Sequence, residues 1–360
     1  MLFDLPDPDT LYAALLARNE SFDGQAFVCV STTGVFCRLT CPARKPKREN
    51  CTFFPTIGQC IEAGFRPCKR CHPLQAAALA DPTIAALLQE LDKRPYLRWS
   101  EDHVAKLGYD LSTVRRSFKR QFGMTFLEMA RQRRIREGFE TLALGGKVIT
   151  AQHEASFDSA SAFRAAFARL LGKSPAELQS DKLLRATWIP TPLGDMIAVS
   201  SRNHLHLLEF VDRKGLPAEL KKLERNSKEG IGIGTMPPSE QAAAELAEYF
   251  AARSARFLTP LAAPASAFTQ HVWDALRQIP AGETRSYSDI ARQIGHPAAT
   301  RAVARANGAN QIAIMIPCHR VIGADGSLTG YGGGLWRKQR LIEIERDLKK
   351  VTCSASTVID

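Results

Sequence analysis

The sequence lacks a run of about 18 consecutive apolar residues, the shortest stretch that forms a membrane-spanning helix. Its first ten residues, MLFDLPDPDT, contain no lysine or arginine, so the basic start of a secretory signal peptide is also missing. Acidic residues are scarce relative to basic ones, with 37 Asp and Glu against 48 Lys and Arg and a net charge of +11. These absences predict a cytoplasmic protein with no membrane partner, and the shortage of negative charge favours a polyanionic partner.

Positive charge is concentrated in two parts of the chain. Positions 37–73 contain eight basic and two acidic residues, and positions 112–137 contain the same numbers. Local basic patches of this kind are the electrostatic footprint of phosphate binding. The distribution therefore predicts two regions that contact nucleic acid.

Nine cysteines form an odd set, and seven of them precede residue 72. Without an export signal, this clustering favours metal binding or thiol chemistry over a disulfide framework. Two pairs, spaced C-x3-C and C-x2-C, are separated by 26 residues and predict one zinc ion held by four thiolates. A purely structural zinc knuckle and a site with a reactive metal-bound thiolate both remain open. The predicted ligands are Cys37, Cys41, Cys68 and Cys71.

Three segments, 34–38 (GVFCR), 48–50 (REN) and 64–71 (GFRPCKRC), resemble the zinc domain of the Ada family of DNA-repair and adaptive-response proteins. The resemblance implies that Cys37 takes the methyl group of a methylated backbone phosphate. It also implies a charge switch, because four thiolates around Zn²⁺ carry a net charge of about −2 and methylation of one leaves about −1. Less repulsion from phosphates strengthens DNA binding, so the methylated protein is expected to activate transcription.

The middle of the chain repeats one pattern: a short helix, a turn, and a basic helix with a single apolar stripe. In the first copy a helix begins at 99–101 (WSE), Gly108 suits the turn, and Ser112 is predicted to cap the second helix. In the second copy the basic helix covers 159–171. A basic helix after a tight turn fits the recognition helix of a helix-turn-helix unit. An ordinary helical bundle with a solvated basic face is the alternative.

Two such units about 45 residues apart, carrying FGMT at 122–125 and SFDSASAF at 156–163, resemble the AraC-type DNA-binding domain. The resemblance implies that the protein binds promoter DNA and contacts RNA polymerase. Arg115, Arg116 and Arg164 are the candidate base-reading side chains.

Near the C-terminus, an apolar run over 312–316 ends in a cysteine followed directly by a histidine, Cys318 and His319. A buried cysteine is normally a protonated and inert packing residue. An adjacent imidazole can take the thiol proton and stabilise the anion, so the pair predicts a nucleophile and its base. A packed core thiol is the alternative.

The chain from residue 268 onward, above all PCHRVIG at 317–323, resembles the O6-alkylguanine-DNA alkyltransferases. The resemblance implies irreversible methyl transfer from O6-methylguanine, and from O4-methylthymine, to Cys318, once per molecule. His319 would pass the thiol proton through water to Glu345, with Glu343 as the competing carboxylate, and Asn310 would bridge the network.

The same resemblance implies two DNA contacts. The damaged base must leave the stack to react, and that leaves a gap in the duplex. Arg301 would fill the gap, and Tyr287 would lie near the flipped base and its phosphate.

Between these motifs, positions 196–210 predict two strands joined by a turn, whereas the charged, Gly-rich stretch 214–238 predicts an exposed loop. The sequence GIGIG at 230–234 falls in that loop with no strand before it. No nucleotide cofactor is expected from it.

Together these patterns predict a multidomain α+β protein that is monomeric and associated with the nucleoid of a bacterial cytoplasm. A repair methyltransferase without transcriptional output and an AraC-type regulator with a structural zinc site are the alternatives. The predicted units are a small αβ zinc-binding methylphosphotriester domain (1–75), an all-α double helix-turn-helix domain (76–182), an RNase H-like αβ subdomain (186–265) and a catalytic winged helix-turn-helix subdomain (266–348).

Overall fold

The computed structural model describes residues 5–19, 22, 26–55, 57–71, 73, 82–94, 96–178, 182–227, 230–262 and 264–356. Within them, a cysteine-rich αβ unit, a run of helices and a C-terminal αβ region follow one another, which confirms the predicted multidomain α+β class. The predicted boundary at 75–76 lies outside the described residues. No helix in the described ranges is both long and apolar enough to cross a membrane.

The N-terminal unit is a small sheet with short helices: α1 (Pro8–Ala17), β1 (Phe27–Val30), β2 (Val35–Arg38), β3 (Cys51–Phe54), α2 (Ile57–Glu62) and β4 (Arg66–Pro67). The strand order is β3-β1-β2-β4. Gly34, with φ at +62°, closes the β1–β2 turn in a left-handed conformation that glycine adopts without strain. The Cys68 amide donates to the Phe36 carbonyl at 3.0 Å, so the pairing of β2 with β4 brings the two cysteine pairs together.

The middle of the chain is helical: α3 (Pro82–Lys93), α4 (Glu101–Lys106), α5 (Leu111–Phe122), α6 (Phe126–Ala143), α7 (Val148–Glu154) and α8 (Ala160–Leu171). The predicted helix start within 99–101 and the turn at Gly108, where φ is +85°, are confirmed: Ser100 is the N-cap and the helix begins at Glu101. The prediction that Ser112 caps α5 is wrong. The carboxylate of Asp110 accepts from the Thr113 amide at 2.8 Å, and the Ser112 hydroxyl donates to that carboxylate at 2.7 Å. The helix begins at Leu111, so Ser112 already lies inside its first turn and Asp110 occupies the N-cap position.

The C-terminal region begins with a four-stranded sheet and two helices. In chain order these are β5 (Leu184–Ile189), β6 (Met196–Ser200), β7 (Leu205–Phe210), α9 (Leu216–Ser227), β8 (Ile231–Ile233) and α10 (Pro237–Phe250). The strand order of the sheet is β7-β6-β5-β8, with β8 parallel to β5. The predicted strands over 196–210 are confirmed, but the predicted loop over 214–238 is wrong. Leu216, Leu220 and Leu223 are buried at helical spacing, and β8 is buried throughout. The charged residues between them hide this periodicity in the composition.

The last unit consists of α11 (Ala267–Arg277), β9 (Arg285–Ser286), α12 (Tyr287–Gln293), α13 (Thr300–Gly308), β10 (Val321–Ile322) and α14 (Leu335–Ser356). β9 pairs in parallel with β10, which places the start of α12 close to the turn 318–320. The apolar run before Cys318 adds to the edge of β7. The Leu208 amide donates to the Gln311 carbonyl at 2.9 Å, and the Ala313 amide donates to the Leu208 carbonyl at 2.7 Å.

The second helix-turn-helix unit shares an apolar core with the four-stranded sheet. Phe139 of α6 packs against Trp188 of β5 with ring centroids 5.4 Å apart, and Lys173 forms an ion pair with Glu224 of α9. Buried residues of α6, α8, β5, β8 and α9 form one continuous cluster. The helical region and the C-terminal region are therefore packed together through side chains rather than joined by a linker alone.

Candidate functional sites

Four cysteine side chains converge in the N-terminal unit. The Sγ atoms of Cys37, Cys41, Cys68 and Cys71 lie within 4.8 Å of one another, and all four residues are buried. Cys37 lies in β2, and the other three occupy the turns that follow β2 and β4. The four predicted ligands are thus together in the fold.

The donor set and its spacing fit one zinc ion. In a tetrahedral thiolate site with Zn–S bonds of about 2.3 Å, neighbouring sulfurs lie about 3.8 Å apart. The sulfurs of Cys41 and Cys68 are 4.0 Å apart. The backbone amides of Arg38 and Arg70 donate to the sulfurs of Cys71 and Cys68, each at 3.4 Å, and such bonds favour an anionic sulfur. The predicted cofactor, one Zn²⁺, is confirmed by this fit and by the family match below.

Four thiols at this distance cannot all ionise unaided. Hydrogen bonds to Cys41 and Cys71, together with burial, raise the pKa of Cys37 far above its ordinary value. Hydrogen bonds from Cys37 and Cys71 lower the pKa of Cys41 to about 2. One thiol therefore ionises at the expense of its neighbours, and a divalent cation is needed to hold all four as thiolates.

A lysine with an unpaired ammonium lies near the sulfurs. Lys45 Nζ is buried and has no hydrogen-bond partner among the described residues. Burial and the nearby Arg18 lower its pKa, while Cys41 and Cys37 act in the opposite direction. This cation is available for an anionic group that approaches the cysteine cluster.

A cavity of about 300 Å³ opens at Cys318, where the two αβ units of the C-terminal region meet. It is lined by Asn310, Tyr287, Asn307 and the loop 330–333 as well as by Cys318 itself. Asn310 holds the sulfur directly, because its amide Nδ2 donates to Cys318 Sγ at 3.1 Å and to the Ile316 carbonyl at 2.8 Å. The thiol belongs to the apolar core around it, but it is fixed at the wall of a cavity rather than packed on all sides.

Glu345 is the centre of a buried network behind the cavity. Its Oε1 lies 2.7 Å from His319 Nε2 and accepts from the Tyr249 hydroxyl at 3.0 Å. Arg320 donates to both carboxylate oxygens at 2.9 Å, and the Gly282 amide donates to Oε2 at 3.1 Å. The carboxylate is thereby fully hydrogen-bonded, which fixes the orientation of the His319 ring. Glu343 instead interacts with Gln339 and Arg340 on its own helix.

Burial and charge act differently on the three groups of this site. Burial raises the pKa of Cys318 to about 11, although the Asn310 hydrogen bond lowers it. Burial lowers the pKa of His319 despite the neighbouring carboxylate, so its imidazole is neutral at pH 7. Burial also opposes ionisation of Glu345, but His319 and Arg320 outweigh it and hold its pKa well below the ordinary value. The resting site is a thiol, a neutral imidazole and a carboxylate.

The other nitrogen of His319 is free to take a proton. Nδ1 is buried, and no protein atom in the described part of the chain hydrogen-bonds to it. Contrary to the prediction, no water is needed between His319 and Glu345, because the two side chains are bonded directly at 2.7 Å. A water molecule between the Cys318 thiol and His319 Nδ1 would complete the proton path.

Arg301 and Tyr287 are the two residues predicted to contact DNA around the flipped base. They lie on helices α13 and α12 of the last unit. Arg301 is exposed in the first turn of α13. Tyr287 begins α12 and lines the cavity, where its hydroxyl donates to the Thr329 carbonyl at 3.4 Å. An exposed arginine and a half-buried tyrosine are thus brought to the same unit as Cys318.

The predicted base-reading arginines lie on the two basic helices of the middle region. Arg115 and Arg116 are exposed on α5, where Arg115 pairs with Glu101 at 2.7 Å. Arg164 is exposed on α8. Exposure on the second helix of each unit agrees with a role at a DNA surface.

Several residues of the C-terminal site were missed by sequence reasoning. Tyr249 and Arg320 bind Glu345. The wholly buried Lys338 donates to the Val321 carbonyl, just after the cysteine–histidine motif, and to the Thr329 carbonyl, just before the loop 330–333. Arg320 directly follows Cys318 and His319, so the sequence motif itself identifies it as a candidate residue of the site. Tyr249 and Lys338 carry no such signal, because each is known only by its three-dimensional neighbours.

Three family profiles match successive parts of the chain: the metal binding domain of Ada (10–73), a helix-turn-helix domain (104–181) and the DNA binding domain of 6-O-methylguanine DNA methyltransferase (267–347). The bifunctional transcriptional activator/DNA repair enzyme Ada of Escherichia coli is 36% identical over 360 residues, covering 94% of this chain and 96% of that protein. A methylated-DNA–protein-cysteine methyltransferase of Mycolicibacterium paratuberculosis is 59% identical over 102 residues, 28% of this chain and 62% of that protein. The crystal structure of the Mycobacterium tuberculosis O6-methylguanine methyltransferase is 40% identical, with a TM-score of 0.40 over 45% of this chain and 93% of that one.

The chain combines a four-thiol metal site, paired helix-turn-helix units and a cysteine at the wall of a cavity of about 300 Å³. Together these features define a class of DNA-binding methyl acceptors. The chain belongs to the Ada family of bifunctional transcriptional activators and DNA repair enzymes. This membership confirms the predicted function class, its enzyme activity as a methylated-DNA–protein-cysteine methyltransferase, and DNA as a partner. It favours the bifunctional interpretation over both narrower alternatives.

Proposed function

We propose that Cys318 accepts methyl groups from O6-methylguanine and O4-methylthymine, that Cys37 accepts them from methylphosphotriesters, and that the second transfer switches the protein to an activator. The observation that carries the proposal is the position of Cys318 Sγ at a cavity wall, 3.1 Å from Asn310 Nδ2, beside the buried pair of His319 and Glu345. A core thiol needs no such surroundings.

At Cys318 the reaction is a displacement at the methyl carbon. The S–C bond forms as the bond from that carbon to O6 breaks, and the electron pair of the broken bond stays on the base. His319 takes the thiol proton at Nδ1, and Glu345 stabilises the imidazolium that forms. The proton held by His319 then passes to the leaving base, so the net change is one thiol and one methylated base converted to one thioether and one unmethylated base. A thioether is not hydrolysed by water, so each molecule reacts once.

At Cys37 the sulfur attacks the methyl carbon of a phosphotriester, and the phosphodiester leaves with the electron pair. Zinc bound by Cys37, Cys41, Cys68 and Cys71 keeps these sulfurs deprotonated at neutral pH. The Lys45 ammonium, which has no hydrogen-bond partner in the described part of the chain, attracts the phosphate backbone to the sulfur. Methylation of Cys37 removes one negative charge and strengthens promoter binding.

DNA is bound by separate elements for damage and for promoter sequence. Arg301 on α13 fills the gap left by the flipped base, and Tyr287 contacts that base and its phosphate. Arg115, Arg116 and Arg164 on α5 and α8 read the promoter. The exposure of the four arginines supports this assignment.

The protein acts as a monomer in the bacterial cytoplasm, associated with the nucleoid, and contacts RNA polymerase after Cys37 is methylated. Its basic net charge supports residence on DNA. Light scattering of the purified chain tests the monomer. A pull-down of RNA polymerase with methylated and unmethylated protein on promoter DNA tests the contact.

Peptide mapping tests the proposal directly. Purified, zinc-loaded protein is incubated with duplex DNA that carries isotope-labelled methyl groups on phosphate and on guanine O6. Label is expected on two peptides, those that contain Cys37 and Cys318. Label elsewhere, or repeated turnover, contradicts the proposal.

A further inference from the structure

A buried charge cluster from the first αβ unit of the C-terminal region reaches the Cys318 cavity. Arg213 Nη1 donates to Glu209 Oε2 at 2.9 Å and to the two oxygens of Glu219 at 2.6 and 2.7 Å. The Arg213 side chain is 11% exposed and that of Glu209 is 4% exposed. Both Arg213 and Glu209 line the cavity. The mechanism at Cys318 uses neither residue.

The Arg213 side chain lies directly against the loop that borders the cavity. A Cβ built at Gly332 would lie 2.5 Å from Arg213 Nε and 3.2 Å from its Cζ. Arg213 Nη2 also donates to the Gly308 carbonyl at 3.3 Å, at the end of α13. The arginine therefore occupies the space that a side chain at position 332 would take, and it touches both the loop and the helix α13.

Two carboxylates hold this guanidinium in one place. Nη1 is shared between the two carboxylates and Nη2 is bound to the Gly308 carbonyl, so the guanidinium loses the freedom to move aside that a surface arginine keeps. The cavity of about 300 Å³ is at the lower end of the roughly 300–1,000 Å³ seen for ligand pockets, so a purine with a small substituent leaves little spare room.

We propose that Arg213 is a specificity-determining residue that limits the O6-alkyl group to methyl and other small groups. The proposal rests on the function proposed above, in which Cys318 accepts the alkyl group of a base held in this cavity. A large substituent such as benzyl meets a guanidinium that Glu209 and Glu219 prevent from yielding. The residue acts by volume, not by chemistry on the transferred carbon.

The test compares single-turnover rates for one oligonucleotide that carries either O6-methylguanine or O6-benzylguanine. Arg213→Ala combined with Glu209→Gln removes the side chain without leaving Glu209 as an unpaired buried charge. We expect the ratio of the benzyl rate to the methyl rate to rise about tenfold or more, the size of discrimination that pocket volume supplies. Arg213→Lys keeps a long cationic side chain that Glu209 and Glu219 can still hold in place, so its ratio should stay within about twofold of the wild-type ratio.

Arg253→Ala is the matched control, because Arg253 forms an exposed ion pair with Glu248 in the same unit, away from the cavity lining. If the double variant does not fold, as judged by circular dichroism, the shorter Arg213→Gln side chain takes its place, with a smaller rise expected. An unchanged ratio in a folded shortened variant, or an equal rise in Arg213→Lys, overturns the proposal. Wild-type protein that alkylates Cys318 with neither substrate overturns the proposed function itself.

Discussion

Cys37 and Cys318 are almost equally buried, at 9% and 7% exposure, yet their surroundings differ in kind. Cys37 stands among three further thiols, and its conversion to an anion depends on a cation that all four share. Cys318 has a neutral amide donor at 3.1 Å and a histidine–carboxylate pair beside it. The same reaction, capture of a methyl group by sulfur, is therefore supported by a metal charge in one region and by a side-chain network in the other.

The two sites also differ in how far along the chain their parts are spread. The four thiols fall within residues 37–71, so the small N-terminal sheet is enough to assemble them. The network of Glu345 includes Tyr249, 96 residues earlier, and therefore requires both αβ units of the C-terminal region. A local site depends on its metal, whereas a distributed site depends on packing.

The largest effect is expected from removing one nucleophile at a time. Cys318→Ala should abolish methyl transfer from O6-methylguanine and leave transfer from methylphosphotriesters to Cys37 unchanged, because the sites share no residue. Cys37→Ala should do the reverse. Mass spectrometry of both cysteine peptides after incubation with doubly damaged DNA measures this. Loss of both activities in either variant would contradict independent sites.

Replacing a zinc ligand should abolish methyl transfer to Cys37 as completely as replacing Cys37 itself. Cys41→Ser is expected to lose the metal and with it the folded N-terminal unit, since structural zinc contributes about 10–16 kcal/mol in small zinc domains. Zinc content and amide exchange of residues 26–71 measure the effect. Cys318 transfer should stay within about twofold of wild type, since the site lies outside the metal's reach. Retained Cys37 methylation in the metal-free variant would count against the account.

The Glu345 carboxylate should strongly accelerate methyl transfer to Cys318 without being essential for it. Glu345→Gln is expected to slow transfer to Cys318 by about 10²–10³, because the imidazolium loses its stabilising anion. It should also lower the free energy of unfolding by about 3 kcal/mol, because Arg320 is left buried without its partner. Glu343→Gln, on the same helix, is the matched control and should change neither quantity. Equal rates for the two variants would assign no role to Glu345.

The pH dependence should differ between the sulfurs. Burial raises the pKa of Cys318 to about 11, so between pH 7 and 9 its thiolate fraction increases as pH rises. Alkylation of Cys318 by iodoacetamide in DNA-free protein is therefore expected to rise about tenfold per pH unit. A metal-bound thiolate is already deprotonated, so zinc-loaded Cys37 should show no such slope. A flat profile at Cys318 would mean that its resting form is the thiolate.

The smallest effect concerns the switch. Removing one negative charge from the zinc site near a phosphate should strengthen promoter binding by about 1 kcal/mol, or about fivefold in Kd, in exposed surroundings. The gain should shrink as salt rises. Fluorescence anisotropy of Cys37-methylated and unmethylated protein at matched salt measures it. Equal affinities at low salt would remove the electrostatic basis of the switch.

Sequence reasoning recovered what is carried by local spacing. The two cysteine pairs, the Cys318–His319 step and the helix start at 99–101 are each defined within a few residues. The helix α9 was missed because Leu216, Leu220 and Leu223 are separated by charged residues that dominate the composition. The cap of α5 was assigned to Ser112 because hydroxyl and carboxylate caps cannot be ranked without geometry.

Contacts between distant segments could not be predicted. Packing of Phe139 on Trp188 joins the helical region to the four-stranded sheet, and nothing in either segment specifies the other. Likewise, the position of Arg213 against Gly332 depends on how two αβ units meet. Apolar periodicity indicates which face of an element is buried but not against which partner.

One measurement tests the central comparison most directly. Zinc-loaded and chelator-treated protein are each incubated with DNA that carries labelled methyl groups on phosphate and on guanine O6, and the two cysteine peptides are quantified. The account predicts that removing zinc eliminates label on Cys37 and leaves label on Cys318 essentially unchanged. Labelling of Cys37 without zinc, or loss of Cys318 labelling with zinc removal alone, would contradict it.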